Sequence, residues 1–230
     1  MDSNRWKKIW DSRSASPAAI NTLERLIRLD GFDTGAGAVE VADWEMYAKR
    51  IAENLGIKAG DSLYEVGCGS GAFLYPFWQS GHRVGGLDYS PVLIEEACKT
   101  MGSDFICREA VALEEEPLYD VVFSNSVFQY FSTLAYAEAV IARMIKKAKK
   151  SIAVLDVPNK ALEMEAENVR RGKLSPNEYD QKYKDLPRLY YSKEWFEELG
   201  AHYGAEVEIS RQEIQGYGNS PFNFNVVMRV

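Results

Sequence analysis

The run Leu63-Tyr64-Glu65-Val66-Gly67-Cys68-Gly69-Ser70-Gly71 places an acid at the end of an apolar stretch and glycines directly behind it. Glycines at a strand-to-helix turn let the main chain approach a ligand that side chains would push away. Gly67-x-Gly69-x-x-Ala72 satisfies the nucleotide-binding fingerprint, in which alanine is allowed at the last position. Asp88 follows about twenty residues on, the distance at which an acid meets a ribose hydroxyl. Such a loop can serve several nucleotides, or none when it is only a tight turn.

Glu65 narrows the choice. A carboxylate two residues before Gly67 would repel a pyrophosphate held on the same loop. It suits a cation, such as an amino group. A ligand with ribose, adenine and a cationic amino-acid tail fits the combination, and S-adenosylmethionine is that ligand.

The elements that must position these residues follow from the pattern. Strand-like runs are Ser62–Val66, Arg83–Asp88, Asp104–Cys107, Tyr119–Ser124 and Ser151–Asp156, with helical patterns between them, notably Pro91–Thr100 and Leu134–Lys147. Strands alternating with helices predict an α/β fold with a mostly parallel sheet covered on both faces. Ligands then gather along the edge formed by the strand ends. The last third departs from this rhythm. Ser192 caps a helix to Tyr203, and Glu206–Ser210 reads as a strand. The tail alternates Phe222, Phe224, Val226, Met228 and Val230 on one side. Two strands joined by a loop without a helix should pair antiparallel. Residues 1–58 read as an N-terminal helical cover, with Trp6 and Trp10 on one helical face and Trp44 and Tyr47 on another. Residues 59–230 read as the core, one compact domain overall. Residues 158–187 read as a helical insertion with short helices at Lys160–Arg171 and Pro176–Tyr183.

Composition excludes some classes of function. At 230 residues with 46% apolar content the chain has the makings of one soluble, globular core. No apolar run is long enough for a membrane span, and the start Met1-Asp2-Ser3-Asn4-Arg5 has no apolar stretch behind it, so no membrane partner or signal peptide is expected. Cys68, Cys98 and Cys107 lack metal-ligand spacing and read as reduced thiols, which implies a cytoplasmic location and no metal site. A net charge of −7 argues against a nucleic-acid partner. The one basic cluster, Lys146-Lys147-Ala148-Lys149-Lys150, reads as solvated lysines at a helix end.

Taken in order, the motifs resemble those of the class I S-adenosylmethionine-dependent methyltransferases, small-molecule type. Glu65–Gly71 resembles the family's first motif, Gly86-Leu87-Asp88-Tyr89-Ser90 the second, Arg108-Glu109-Ala110 the third, and Tyr119–Ser126 the fourth. The resemblance implies a three-layer, Rossmann-like, seven-stranded sheet with an antiparallel last strand. It also implies residue roles. Gly67 and Gly69 would let the backbone pass under the methionine part of the cofactor, and Cys68 between them would belong to the cofactor site. Glu65 would hold the ammonium group and Asp88 both ribose hydroxyls. Tyr89 would pack beside the adenine, Glu109 would sit near its amino group, and Asn125 would lie near the transferring methyl. The cofactor would leave as S-adenosylhomocysteine.

The acceptor is less legible. A sulfonium methyl is already electrophilic, so the protein's part is mainly alignment. Attack by a hydroxyl also needs a base, yet His82 and His202 both read as surface residues away from the site. N-, O- and C-methylation all stay open. Gln129, Tyr130, Tyr190 and Tyr191 are the candidates to orient an acceptor. The run Ser124-Asn125-Ser126-Val127-Phe128 lacks the prolines found where nucleobase amino groups are methylated. The expected function is methyl transfer to a small metabolite. Alternatives are a protein or RNA methyltransferase and a non-catalytic cofactor-binding protein. The oligomeric state is not readable from the chain.

Overall fold

The computed structural model of the chain describes residues 4–13, 22–32, 39–172, 175–183 and 186–230. Within them, helices α1 (Asn4–Asp11), α2 (Thr22–Leu29) and α3 (Val41–Leu55) precede strand β1 (Leu63–Val66). Then follow α4 (Tyr75–Gln79), β2 (Val84–Asp88), α5 (Pro91–Met101), β3 (Phe105–Cys107), β4 (Tyr119–Asn125), α6 (Leu134–Lys147) and β5 (Ala148–Pro158). The chain continues through α7 (Glu163–Arg171), α8 (Pro176–Tyr183), α9 (Lys193–Tyr203), β6 (Glu206–Arg211) and β7 (Asn223–Arg229).

The seven strands form one sheet in the order β3-β2-β1-β4-β5-β7-β6. Strands β1 to β5 run parallel, with Glu65 beside Gly86 and Phe123. The strand order reverses direction between β1 and β4. At such a switch point the connections leave to opposite sides and open a crevice beyond the carboxyl ends of the strands. β1 and β2 are buried along their whole length, because helices cover both faces of the sheet. Alternate residues feed two separate cores. Leu63, Val121 and Phe123 pack with Leu26, Trp44, Tyr47 and Phe73, while Tyr64, Val122 and Ile152 pack with Val140, Met144 and Phe196. In α6 the buried residues Ala137, Val140, Ile141 and Met144 follow helical spacing, and Thr133 caps the helix by accepting from Tyr136 N at 3.1 Å. Each large apolar side chain buried this way contributes roughly 1.5–3 kcal/mol.

The last strand is reversed, as the pairing argument expects: β7 pairs antiparallel with both β5 and β6. Its burial is not one-sided. Phe224, Val226 and Met228 are buried, and so are Asn225 and Val227 between them. β7 is inserted between two strands, so both its faces are covered. Val230 is exposed, and Phe222 lies in a short 3-10 turn before the strand.

Lys147 departs from the solvated-cluster expectation. It is 2% exposed, its ammonium donates to Glu114 O at 3.0 Å and Pro117 O at 2.9 Å, and it sits 4.5 Å from the centroid of Tyr64. Burial pulls its pKa below the ordinary lysine value. Lys146, Lys149 and Lys150 are exposed and paired with Glu115, Asp120 and Asp61. Helical phase explains the split, because Lys147 lies three residues after Met144 on the buried face of α6. Lys147→Ala leaves two carbonyls without their donor and costs about 2–3 kcal/mol of stability. Urea denaturation reads this as a lower midpoint with an unchanged slope, and an unchanged midpoint would contradict it.

Candidate functional site

A cavity of about 460 Å³ opens beyond the carboxyl ends of β1, β2 and β4. Glu65, Gly67, Cys68, Gly69, Asp88, Tyr89, Glu109 and Asn125, separated by up to sixty positions in the chain, all line it.

The glycine loop forms one end of the cavity. Gly67 has φ +76° and Gly69 has φ +53°, a region that residues with a Cβ rarely adopt. A Cβ on Gly67 would also collide with Val127, and one on Gly69 with the Asp30 carboxylate. Asp88 braces the loop from β2: its Oδ2 accepts from Gly69 N at 3.1 Å and its Oδ1 from Ser90 N at 2.8 Å. Asp30 braces it from the end of α2: its Oδ1 accepts from Ser70 N at 2.7 Å and its Oδ2 from Ala72 N at 3.2 Å.

Glu65 is 2% exposed, and its Oε2 has no hydrogen-bond partner among the described residues. Buried carboxylates are normally satisfied, so an orphan facing a cavity marks a place where a partner belongs. Burial first, then the charges of Asp30 and Asp88, push its pKa well above the usual carboxylate value. Burial also lifts Asp30 to about 7, against the opposing hydrogen bonds from Ser70 and Ala72. Three acidic groups converging on one buried corner are repulsive until a cation arrives.

The far side of the cavity is aromatic. Trp6 and Trp10 of α1 pack on Tyr130, with ring centroids at 4.7 Å and 5.7 Å, and Trp6 Nε1 donates to Pro187 O at 3.3 Å. All four residues line the cavity. The α1 helix therefore closes over the cavity and touches the segment returning from the insertion. Replacing both Trp6 and Trp10 by alanine is expected to weaken S-adenosylhomocysteine binding about tenfold, since it strips two aromatic walls from the site. Calorimetry checks this, and an affinity within twofold of the parent would contradict it. Trp44 also borders the cavity but is a core residue, fully buried and donating to Ala72 O at 2.9 Å.

Behind Asn125 lies a buried polar network. Asn125 Oδ1 accepts from the Tyr47 hydroxyl at 3.0 Å, and Tyr47 Oη accepts from Gln212 Nε2 at 3.3 Å. Burial pushes the Tyr47 pKa well up, so it remains a donor. Asp156, at the end of β5, is fully buried and accepts from Ser126, from Tyr217 at 3.0 Å and from Asn223 at 2.7 Å. Ser126 and Asp156 both have positive φ, +58° and +59°. Strained non-glycine backbone held by such a network fixes the two strand ends beside the cavity.

The residues expected to orient an acceptor divide. Tyr130 lines the cavity. Gln129 does not: it is 1% exposed and its Nε2 donates to Ser126 O at 2.7 Å, folding the loop after β4. Tyr191 is core, fully buried, with its hydroxyl donating to Phe128 O at 2.8 Å. Tyr190 is buried outside the cavity and accepts from Arg170 at 3.3 Å. After the insertion, Tyr191 is fixed by the bridge it forms with Asn159, so its ring enters the core beneath α9. His82 lies against Asp61 O at 2.9 Å in the turn before β2, and His202 is exposed on α9; neither lines the cavity. Among the described residues no cluster has metal-binding composition. The sequence reading missed Asp30 and the Asp156 network. The only signal for either was an acid ending an amphipathic helix and an acid ending a strand.

Comparison with known proteins gives a consistent picture. Residues 64–153 match the model of a methyltransferase domain. Malonyl-[acyl-carrier protein] O-methyltransferase 1 of Ilyobacter polytropus is 30% identical over 105 residues, which are 41% of this chain and 39% of that protein. The chain thus matches about two fifths of the length of such curated relatives. Among solved structures, the plantazolicin methyltransferase BpumL with a triazolic desmethyl analogue and S-adenosylhomocysteine superposes with a TM-score of 0.66 at 17% identity, covering 97% of this chain and 94% of that one. Magnesium protoporphyrin IX methyltransferase from Synechocystis PCC 6803, with S-adenosylhomocysteine bound, gives a TM-score of 0.60 at 16% identity, covering 98% and 91%.

Proposed function

We propose that this chain, a class I methyltransferase by its fold and by the domain matched over residues 64–153, transfers a methyl group from S-adenosylmethionine to a small molecule. The observation that carries this reading is the orphan Glu65 carboxylate, buried at a glycine cradle and aimed into a cavity that Asp88 also lines. The residues fit the cofactor. Glu65 and Asp30 would hold its ammonium end, and the Gly67–Gly69 backbone, with Cys68, would leave room for the methionine part. Asp88 would hold the ribose hydroxyls. Tyr89 would pack beside the adenine, and Glu109, at the exposed rim, would meet its amino group. Asn125, held by Tyr47, would lie near the transferring methyl.

Bound S-adenosylmethionine supplies a methyl already activated on sulfonium sulfur. The protein's contribution is then geometric. The brace from Asp30 and Asp88 fixes one partner, and the Tyr47–Asn125 bond fixes the wall beside the reacting atoms. Trp6, Trp10 and Tyr130 line that space with packed aromatic rings. Neither histidine lines the cavity, which favours an acceptor that reaches the site already deprotonated or neutral and nucleophilic.

A cavity walled by aromatic rings supports a small acceptor over a macromolecule. The lysines of the single basic cluster are buried or ion-paired, which argues against a nucleic-acid partner. No described helix is long and apolar enough to cross a membrane, and the free thiols Cys68, Cys98 and Cys107 suit a cytoplasmic protein. The test supplies methyl-labelled S-adenosylmethionine and fractionated cell extract. Label is expected in the low-molecular-weight organic fraction and requires Asp88. Label appearing only in protein or RNA would overturn the small-molecule reading.

A further inference from the structure

Next to the cavity wall, one residue beyond Pro187, stands a cation without a counter-ion. Arg188 sits between Pro187, which lines the cavity, and Leu189, whose amide donates to Gln129 O at 3.0 Å. It is half-buried. The ionisable groups around it are Tyr130, Tyr217, Tyr190 and Asp156. Tyr130 belongs to the cavity wall, and Tyr217 packs on Phe32, another wall residue, at 5.5 Å. Arg188 therefore stands near the ends of β4 and β5, next to the wall residues Pro187 and Tyr130.

Arg188 makes no hydrogen bond or ion pair among the described residues. Every other half-buried arginine has one, or a ring partner: Arg25 pairs with Glu96, Arg108 with Glu114, and Arg143 with Leu113 O. Asp156 is the one acid among these groups, but neutral donors from Ser126, Tyr217 and Asn223 already occupy it. A guanidinium partly withdrawn from water carries five donors, and leaving them unmatched is costly. Burial opposes its charge, while the surrounding tyrosines and Asp156 outweigh that effect and keep it protonated.

From the lone guanidinium and the aromatic wall next to it, we infer that Arg188 anchors a carboxylate on the methyl acceptor, whose apolar or aromatic body packs against Trp6, Trp10 and Tyr130. A planar fork of donors matches a carboxylate in two parallel hydrogen bonds. The inference rests on the methyltransferase reading and names the acceptor class for the same cavity.

The test uses the full chain saturated with S-adenosylhomocysteine and three acids as probes: benzoate, indole-3-acetate and octanoate. Each is compared with its own amide by calorimetry, and phenyl phosphate is the fourth probe. At least one acid is expected to bind tenfold or more tightly than its amide. Arg188→Gln should erase that preference, and Arg188→Lys should keep part of it. S-adenosylhomocysteine affinity of both variants should stay within twofold of the parent, which shows that they fold. Amides binding as well as acids, no acid binding at all, or a preference that survives in Arg188→Gln would overturn the inference. Phenyl phosphate outbinding every acid through Arg188 would overturn it in favour of a phosphorylated acceptor. If the parent chain fails to bind S-adenosylhomocysteine, it is the methyltransferase reading that falls.

Discussion

Asp88→Asn is expected to lower S-adenosylhomocysteine affinity by roughly two orders of magnitude. Asp88 is 7% exposed and lines the cavity at the end of β2, with one oxygen tied to Gly69 N and the other to Ser90 N. A carboxylate oxygen can accept more than one hydrogen bond, and two ribose hydroxyls are suitable donors. Hydrogen bonds to a charged acceptor contribute about 1.5–3 kcal/mol apiece. Losing the charge at both therefore costs about 3 kcal/mol, or more than a hundredfold in dissociation constant. Asp88→Ala should lose at least as much, and also some stability, because it frees the Gly69 and Ser90 amides as well. The asparagine variant keeps one acceptor oxygen and loses only one of the two amide bonds, so its melting temperature should fall less than that of Asp88→Ala while calorimetric affinity collapses. A dissociation constant unchanged in Asp88→Asn would show that Asp88 only braces the loop.

This residue was legible in the chain because its evidence is local. A glycine turn, an acid about twenty residues on, and strands that alternate with helices all lie within a stretch whose periodicity can be read directly. The bounds of α6 and the cap at Ser192 were legible for the same reason. What escaped depends on tertiary closure. Asp30 reaches Ser70 across 40 positions, and Tyr47 reaches Asn125 across 78, with no motif marking either pair. Lys147 looked like its neighbours by composition, and only helical phase separates it from Lys146. Gln129 and Tyr191 carried the right polar groups for an acceptor site, but main-chain carbonyls of Ser126 and Phe128 claimed them.

A second large effect is the pH dependence of cofactor binding. In the free protein, burial and mutual repulsion hold the Glu65 pKa well above the usual carboxylate value and lift Asp30 to about 7. Asp30 therefore carries a proton at mildly acidic pH, and Glu65 ionises less readily than an ordinary carboxylate. A bound ammonium group favours their ionised forms, so binding expels protons. Affinity must then rise with pH below the free-state pKa values, by up to tenfold per pH unit for each proton released, and level off above them. From about pH 5 to pH 7 the expected gain is at least tenfold, with Asp30 contributing throughout that window. Glu65→Gln keeps the shape but has no proton to give, so its binding should be weaker near neutrality and less steep with pH. Binding heats in phosphate and Tris should differ for the parent in proportion to the protons released, and differ less for Glu65→Gln. An affinity flat across this range, with equal heats in both buffers, would contradict the acidic-corner account.

The central claim concerns which ligand the glycine loop holds, and one titration addresses it. The purified chain is titrated by calorimetry with S-adenosylhomocysteine and, separately, with NAD. The loop geometry alone admits either, but the buried Glu65 carboxylate repels a pyrophosphate and attracts an ammonium group. Saturable, one-to-one binding of S-adenosylhomocysteine with no heat from NAD is the result predicted. Binding of NAD without binding of S-adenosylhomocysteine would contradict it.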